Sequence, residues 1–294
     1  MELDQTRIAI RERAMLEILD LSLHVMRCYA RPMLVMFAIG VVPFIVLNYF
    51  LIGWMADIAW EEEFPYGFMW SMFVLVYVQA PLASVFATCY LGQAVFQQRP
   101  SIRHVIHDVW KLSHRILWCQ VCLRGVGVIC VLFFMIERYR EYPGTQEFVI
   151  HVLVLCILIV RSFRPFINEI IVLEKNPLRS ANEMMQTVKL RSDRLHKPSS
   201  GELFSKSLGS MLLGVIIWMG VYGAILFLSG VFLNSWRQGP IIITWCYPLS
   251  LWIVVFYFTV VRFLCYLDLR IRQEGWEVEL KLRAEAAKLT GKFA

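Results

Sequence analysis

The chain has 294 residues, a length that suits one or two soluble domains. Its composition excludes them: 58% of residues are hydrophobic and only 18% charged, against roughly 45–50% and about 25% in soluble proteins. The apolar residues come in long uncharged blocks, which is the signature of membrane helices. A soluble enzyme, a disordered chain and a secreted disulfide scaffold are therefore ruled out. The net charge of +6 is gathered in particular loops, a pattern of membrane topology rather than of nucleic-acid binding.

In chain order, residues 1–31 form an N-terminal segment on the cytoplasmic side. Within it Met15, Ile18, Leu19, Leu23 and Met26 give Ala14–Cys28 one apolar side. It does not read as a cleaved signal peptide and none is expected, because the first apolar run begins late and is too long for an h-region. Six membrane helices are expected over 32–267: Met33–Met55, Phe68–Leu91, Ile116–Ile136, Phe148–Leu173, Leu208–Leu233 and Ile241–Leu267. Each is long enough to cross roughly 30 Å of hydrocarbon at about 1.5 Å per residue. Isolated runs of this length cannot close a barrel, so the class is all-α.

Two further amphipathic segments precede the later span pairs. In Ser101–His114, residues Ile102, Val105, Ile106, Val109 and Trp110 follow helical spacing. In Pro177–Arg191, Leu178, Ala181, Met184, Met185 and Val188 share a face, and Asn176-Pro177 reads as a capped helix start. Such helices lie in the headgroup plane. The layout is then three units, each an interfacial helix plus a membrane hairpin. Residues 268–294 form a cytoplasmic helical tail, in which Glu277–Lys281 and Glu279–Arg283 are opposite charges four apart.

Charge sets the orientation. Every arginine or lysine outside the spans falls on one side, except Arg138, Arg140 and Arg237. The positive-inside rule places that side, and both termini, in the cytoplasm of a cell with an inner membrane.

The order of parts resembles bacterial multi-pass proteins related to the membrane domain of glycerophosphoryl diester phosphodiesterases. Three patches carry the resemblance: Glu17–Asp20 with Pro43 and Leu47-Asn48; the stretch from Phe166 through Val172–Lys175 into the following amphipathic segment; and Tyr266–Gly275. The resemblance covers the layout of most of the chain. It implies a membrane architecture and does not transfer a hydrolytic activity, because nothing outside the apolar runs is long enough for the soluble catalytic barrel. It transfers no catalytic or binding residue.

No nucleophile motif, P-loop or metalloprotease motif is present. His104, His107, Asp108 and His114 occupy the polar side of one amphipathic segment and read as a solvated face. Cys119 and Cys122 form a C-x-x-C with no second pair and no histidine nearby, so no metal or cofactor is expected. The charges inside the spans are more informative. Arg124, Arg161, Arg164 and Glu169 each sit in an apolar run, where a charge costs about 2.5–3.5 kcal/mol on insertion scales. Pro165 lies among them and removes a helical hydrogen bond. Glu169 is expected to face the bundle interior and pair with Arg124 or Arg164, while Arg262 snorkels to the surface.

A membrane-bound hydrolase ranks last, because no catalytic constellation is visible, and two functions stand ahead of it. One is a non-enzymatic structural or accessory component of a bacterial inner membrane, its partners being the lipid bilayer and a membrane or cytoplasmic protein, with no nucleic acid. The other is a transporter or lipid-handling protein built on the charges of spans three and four. A polar cavity reaching Arg161 would favour the second.

Overall fold

A computed structural model describes residues 13–62, 65–96, 100–138, 143–179, 186–234, 236 and 239–275. Among these residues there are ten α-helical segments and no strand. Four helices are long and apolar enough to cross a membrane, or up to six if each of two bent pairs is one span. These are the helices of a membrane-embedded protein.

The first helix, α1 (Met15–Glu62), joins the expected interfacial segment to the first span. It bends at Tyr29 (φ −117°, ψ 20°). Pro32, three residues on, explains the bend: its ring collides with the carbonyl one turn back and supplies no N–H. Helix α2 (Tyr66–Ala83) and helix α3 (Val85–Phe96) meet at Ser84 and together form the second long run. Gly40 of α1 is needed at this crossing, because a Cβ there would overlap the Ala83 carbonyl oxygen.

Helix α4 (Ile102–Leu117) passes directly into a π-helical stretch, Trp118–Leu123. The segment 101–114 is therefore not a separate interfacial helix: it is continuous with the first half of span three. The break falls at Arg124-Gly125, with Gly125 at φ 72°. Helix α5 (Val126–Arg138) then leaves at 60° to the preceding helix. A wound π turn followed by a left-handed glycine gives the chain its change of direction.

Helix α6 (Pro143–Phe163) and helix α7 (Ile167–Leu173) make the second bent pair, at 58°. Here Pro165 is the cause, as it cannot donate back into α6. The expected helix start at Asn176-Pro177 is not found. Residues 175–179 are non-helical, and Lys175 sits at φ 56°. Residues 180–185 lie outside the described residues. Helix α8 (Val188–His196) begins instead behind Thr187, whose hydroxyl accepts from Leu190 N–H at 3.4 Å.

Helix α9 (Ser200–Leu233) and helix α10 (Tyr247–Glu274), which a π turn at Ile242–Cys246 precedes, complete the described helices. Helix α10 runs through position 268 without interruption, so the start of the expected tail continues the last span as one helix. Gly275 at φ 66° closes it in the left-handed conformation that glycine adopts freely. The expected continuation toward Lys288 falls in 276–294, which lie outside the described residues.

Helices α1, α2, α3 and α10 form the packed body, with Met33, Met36, Leu75, Val260 and Phe263 essentially inaccessible. Helix α9 is different. Only 6% of its apolar window is buried, against 72% for Tyr66–Ala94, and its neighbours are chiefly α10 and α6.

Candidate functional site

The interrupted helices and the buried arginines belong together. Pro81 in α2 cannot bond the carbonyl of Tyr77, four residues earlier. The Arg161 guanidinium donates to that carbonyl and lies over the Tyr77 ring, 4.6 Å from its centroid. At the second bend, Arg124 donates to the carbonyl of Arg164. Asn168 donates to Pro81 O at 2.7 Å and accepts from Gln120. Backbone groups that lose a helical partner in hydrocarbon must find another, and these side chains supply it.

Glu169 is wholly buried, as its position among apolar residues requires. Its partner is neither Arg124 nor Arg164. Arg262 Nε donates to Glu169 Oε1 at 2.6 Å, and Arg262 Nη2 donates to Ser84 Oγ at 3.1 Å. Arg262 is therefore turned into the bundle rather than snorkelling. Helix α7 packs on α3, which α10 also contacts, and the long Arg262 side chain spans from α10 to Glu169. Arg164 instead leaves the interior and pairs with Asp193 at 2.9 Å. Of the four expected residues, Arg124, Arg161 and Glu169 come together. Arg164 joins them only through its carbonyl, and Arg262 is the member missed. Its signal was the four-residue spacing of Arg262, Tyr266, Arg270 and Glu274, which puts all four on one stripe of α10.

That stripe continues to the basic end of the molecule. Tyr266 donates to Glu174 Oε1 at 2.6 Å, and Arg191 makes a two-pronged contact to Glu174 at 2.7 and 2.9 Å. Arg191 also reaches Glu274, and Arg270 holds Glu274 at 2.8 Å. Burial works against the charged Arg191, but its bonds to Glu174 and Glu274 outweigh this and hold it above the ordinary arginine value.

His196 sits nearby on α8. Its Nδ1–H donates to Ser192 O at 2.7 Å, and its Nε2 accepts from Phe166 N–H at 3.3 Å. A proton on Nε2 would face that N–H. Burial pushes the imidazole down to about 4; its bond to Ser192 opposes this, and Arg124 and Arg164 add to the fall.

A cavity of about 310 Å³ lies between α2, α6, α9 and α10. Its walls are apolar, including Phe73, Leu158, Met211 and Val255. Arg161 and Arg262 reach it from the cluster, beside Ser84 and Thr259. Lys206 and Arg272 line it toward the basic end. Among the described residues no carboxylate lines it. On its α9 side the rim reaches Leu208, which is half exposed on the outer surface of the bundle.

The remaining candidates do not converge. Asp108 is held by Lys175 at 3.0 Å and Gln93 at 3.2 Å, with the exposed His104 at 3.8 Å. Cys119 is buried and Cys122 exposed. No group of three metal-binding side chains occurs among the described residues.

The fold and site together define a polytopic all-helical protein with an arginine-floored cavity. Compared with known proteins, the chain matches no family model, no curated sequence and no solved structure.

Proposed function

We propose that the protein is a non-enzymatic, lipid-handling component of a bacterial inner membrane, and that its cavity binds an amphiphile with an anionic head. In this reading it crosses the membrane six times, each bent pair counting as one span. Both termini and the basic end lie in the cytoplasm, in keeping with the loop charges.

The observation that carries the reading is the cavity lining: apolar walls reaching the guanidiniums of Arg161 and Arg262, with no carboxylate among the described residues. Its volume falls within the roughly 300–1,000 Å³ of small-molecule sites. Apolar walls accommodate a tail, and two guanidiniums accommodate a phosphate or carboxylate. The rim at Leu208 gives the tail a route to the surrounding bilayer. The structural alternative accounts for Arg124 and Arg161 as caps on freed carbonyls, but not for an arginine-lined cavity.

The test is native mass spectrometry of the protein extracted from its membrane. A retained anionic lipid is expected on the wild type and not on Met211→Trp, which fills the cavity. Equal retention by a folded Met211→Trp protein would remove the reading.

A further inference from the structure

The charges around the cavity do not balance, and the imbalance has a definite size. Lys206 and Arg272 are matched: Glu202 holds Lys206 at 2.7 Å and Arg272 at 2.9 Å, and Asp268 holds Arg272 at 3.2 Å. Arg164 is matched by Asp193. The deep cluster is not matched. Arg124, Arg161 and Arg262 interact with one another electrostatically, and Glu169 is the carboxylate they share. Three guanidiniums against one carboxylate leave an excess of two positive charges among the described residues.

Arg124 and Arg161 bond to backbone carbonyls, which satisfies N–H groups but cancels no charge. Arg124 Nε is buried without a partner. A buried net charge is strongly unfavourable unless a counter-charge joins it. Two of the three guanidiniums, those of Arg161 and Arg262, open on the cavity, so a counter-ion there sits against the excess.

We infer, resting on the lipid-handling reading, that the head of the bound amphiphile is a dianion of the phosphomonoester type. One monoanionic diester would leave the cluster with an excess charge; one dianion closes it. The flat, forked guanidiniums suit an oxyanion with several acceptor oxygens. The nearby hydroxyls are secondary, since Ser84 and Thr259 donate to Pro81 O and Val255 O. The apolar walls assign the phosphate to a lipid rather than to free phosphate.

The test compares two lipids with the same acyl chains in neutral nanodiscs at about pH 8: dioleoyl phosphatidate, a dianionic monoester, and dioleoyl phosphatidylmethanol, a monoanionic diester. Phosphatidylcholine and inorganic phosphate serve as further arms. Phosphatidate is expected to bind at least tenfold tighter than phosphatidylmethanol, with inorganic phosphate failing to compete at equal concentration. Arg124→Gln, which does not line the cavity, lowers the excess to one and should remove most of that preference while leaving phosphatidylmethanol binding in place. Equal or tighter binding of phosphatidylmethanol overturns the dianion and leaves the lipid site standing. Competition by inorganic phosphate alone moves the site to a free anion. No saturable binding of any probe removes the lipid reading itself. The wild-type comparison decides the matter even if Arg124→Gln does not fold.

Discussion

Two charged clusters lie along one helix, and they differ in kind. At the basic end of α10, Arg191 and Arg270 face Glu174 and Glu274. Bases and acids are equal in number there, and Tyr266 completes the bonding of Glu174. Two turns deeper, Arg262 lies with Arg124 and Arg161 around the single carboxylate of Glu169. The first cluster is self-sufficient and ties α7, α8 and α10 together. The second holds the bent helices but retains surplus charge beside a cavity. A polar cluster whose charges close is explained by the fold; one whose charges do not close points to something the fold holds.

The comparison predicts where stability resides. Glu174→Ala leaves Arg191 and Arg270 only Glu274 to share, one positive charge in excess in a mostly buried setting, so it should have the largest effect, about 3–5 kcal/mol. Thermal unfolding in detergent would show it. A loss below about 1 kcal/mol, as for an exposed pair, would erase the distinction between the clusters.

The His196 contact gives a pH signature to the same end of the molecule. Its imidazole is pushed down to about 4 in the folded protein, against about 6.5 for a free histidine. The unfolded chain therefore binds the proton first. The stabilising effect of the neutral ring is complete above about pH 6.5 and is lost progressively as pH falls toward about 4, a total of roughly 3 kcal/mol. Melting temperature measured from pH 7 to pH 5 should fall in the wild type and fall less in His196→Asn. Parallel curves would refute the assignment.

Gly40→Ala tests the packed body. The added methyl meets a backbone carbonyl that no rotamer change can move, so a loss of about 1–3 kcal/mol is expected. Gly209→Ala on the open side of α9, where a Cβ meets nothing, is the matched control and should not destabilise. The smallest effect belongs to Lys206→Gln, whose pair with Glu202 is partly exposed; within about 1 kcal/mol of wild type is expected.

The sequence made the spans legible because uncharged length is a strong signal in a membrane chain. It also made Pro165 legible as a break. The break at Arg124-Gly125 was not, since no proline marks it and a π turn leaves no composition signal. The loose packing of α9 was hidden for a general reason: a lipid-facing helix and a core helix of a membrane bundle are equally apolar. Arg124, Arg161 and Glu169 were found because charge in an apolar run stands out. Arg262 stood out equally, but reading it by its distance from the helix end sent it to the surface. Its four-residue ladder with Tyr266, Arg270 and Glu274 would have placed it inward.

The most direct test of the surplus-charge account is a lipid-dependent melting curve. Wild-type protein, Arg262→Gln and Glu174→Gln would each be titrated with an anionic phospholipid and with phosphatidylcholine. The account predicts that anionic lipid raises the melting temperature of the wild type and of Glu174→Gln, whatever the starting stability of the latter, because ligand binding to the folded state stabilises it. It predicts a much smaller rise for Arg262→Gln, and little for any of the three with phosphatidylcholine. An equal rise in Arg262→Gln and wild type, or no difference between the two lipids, would contradict it.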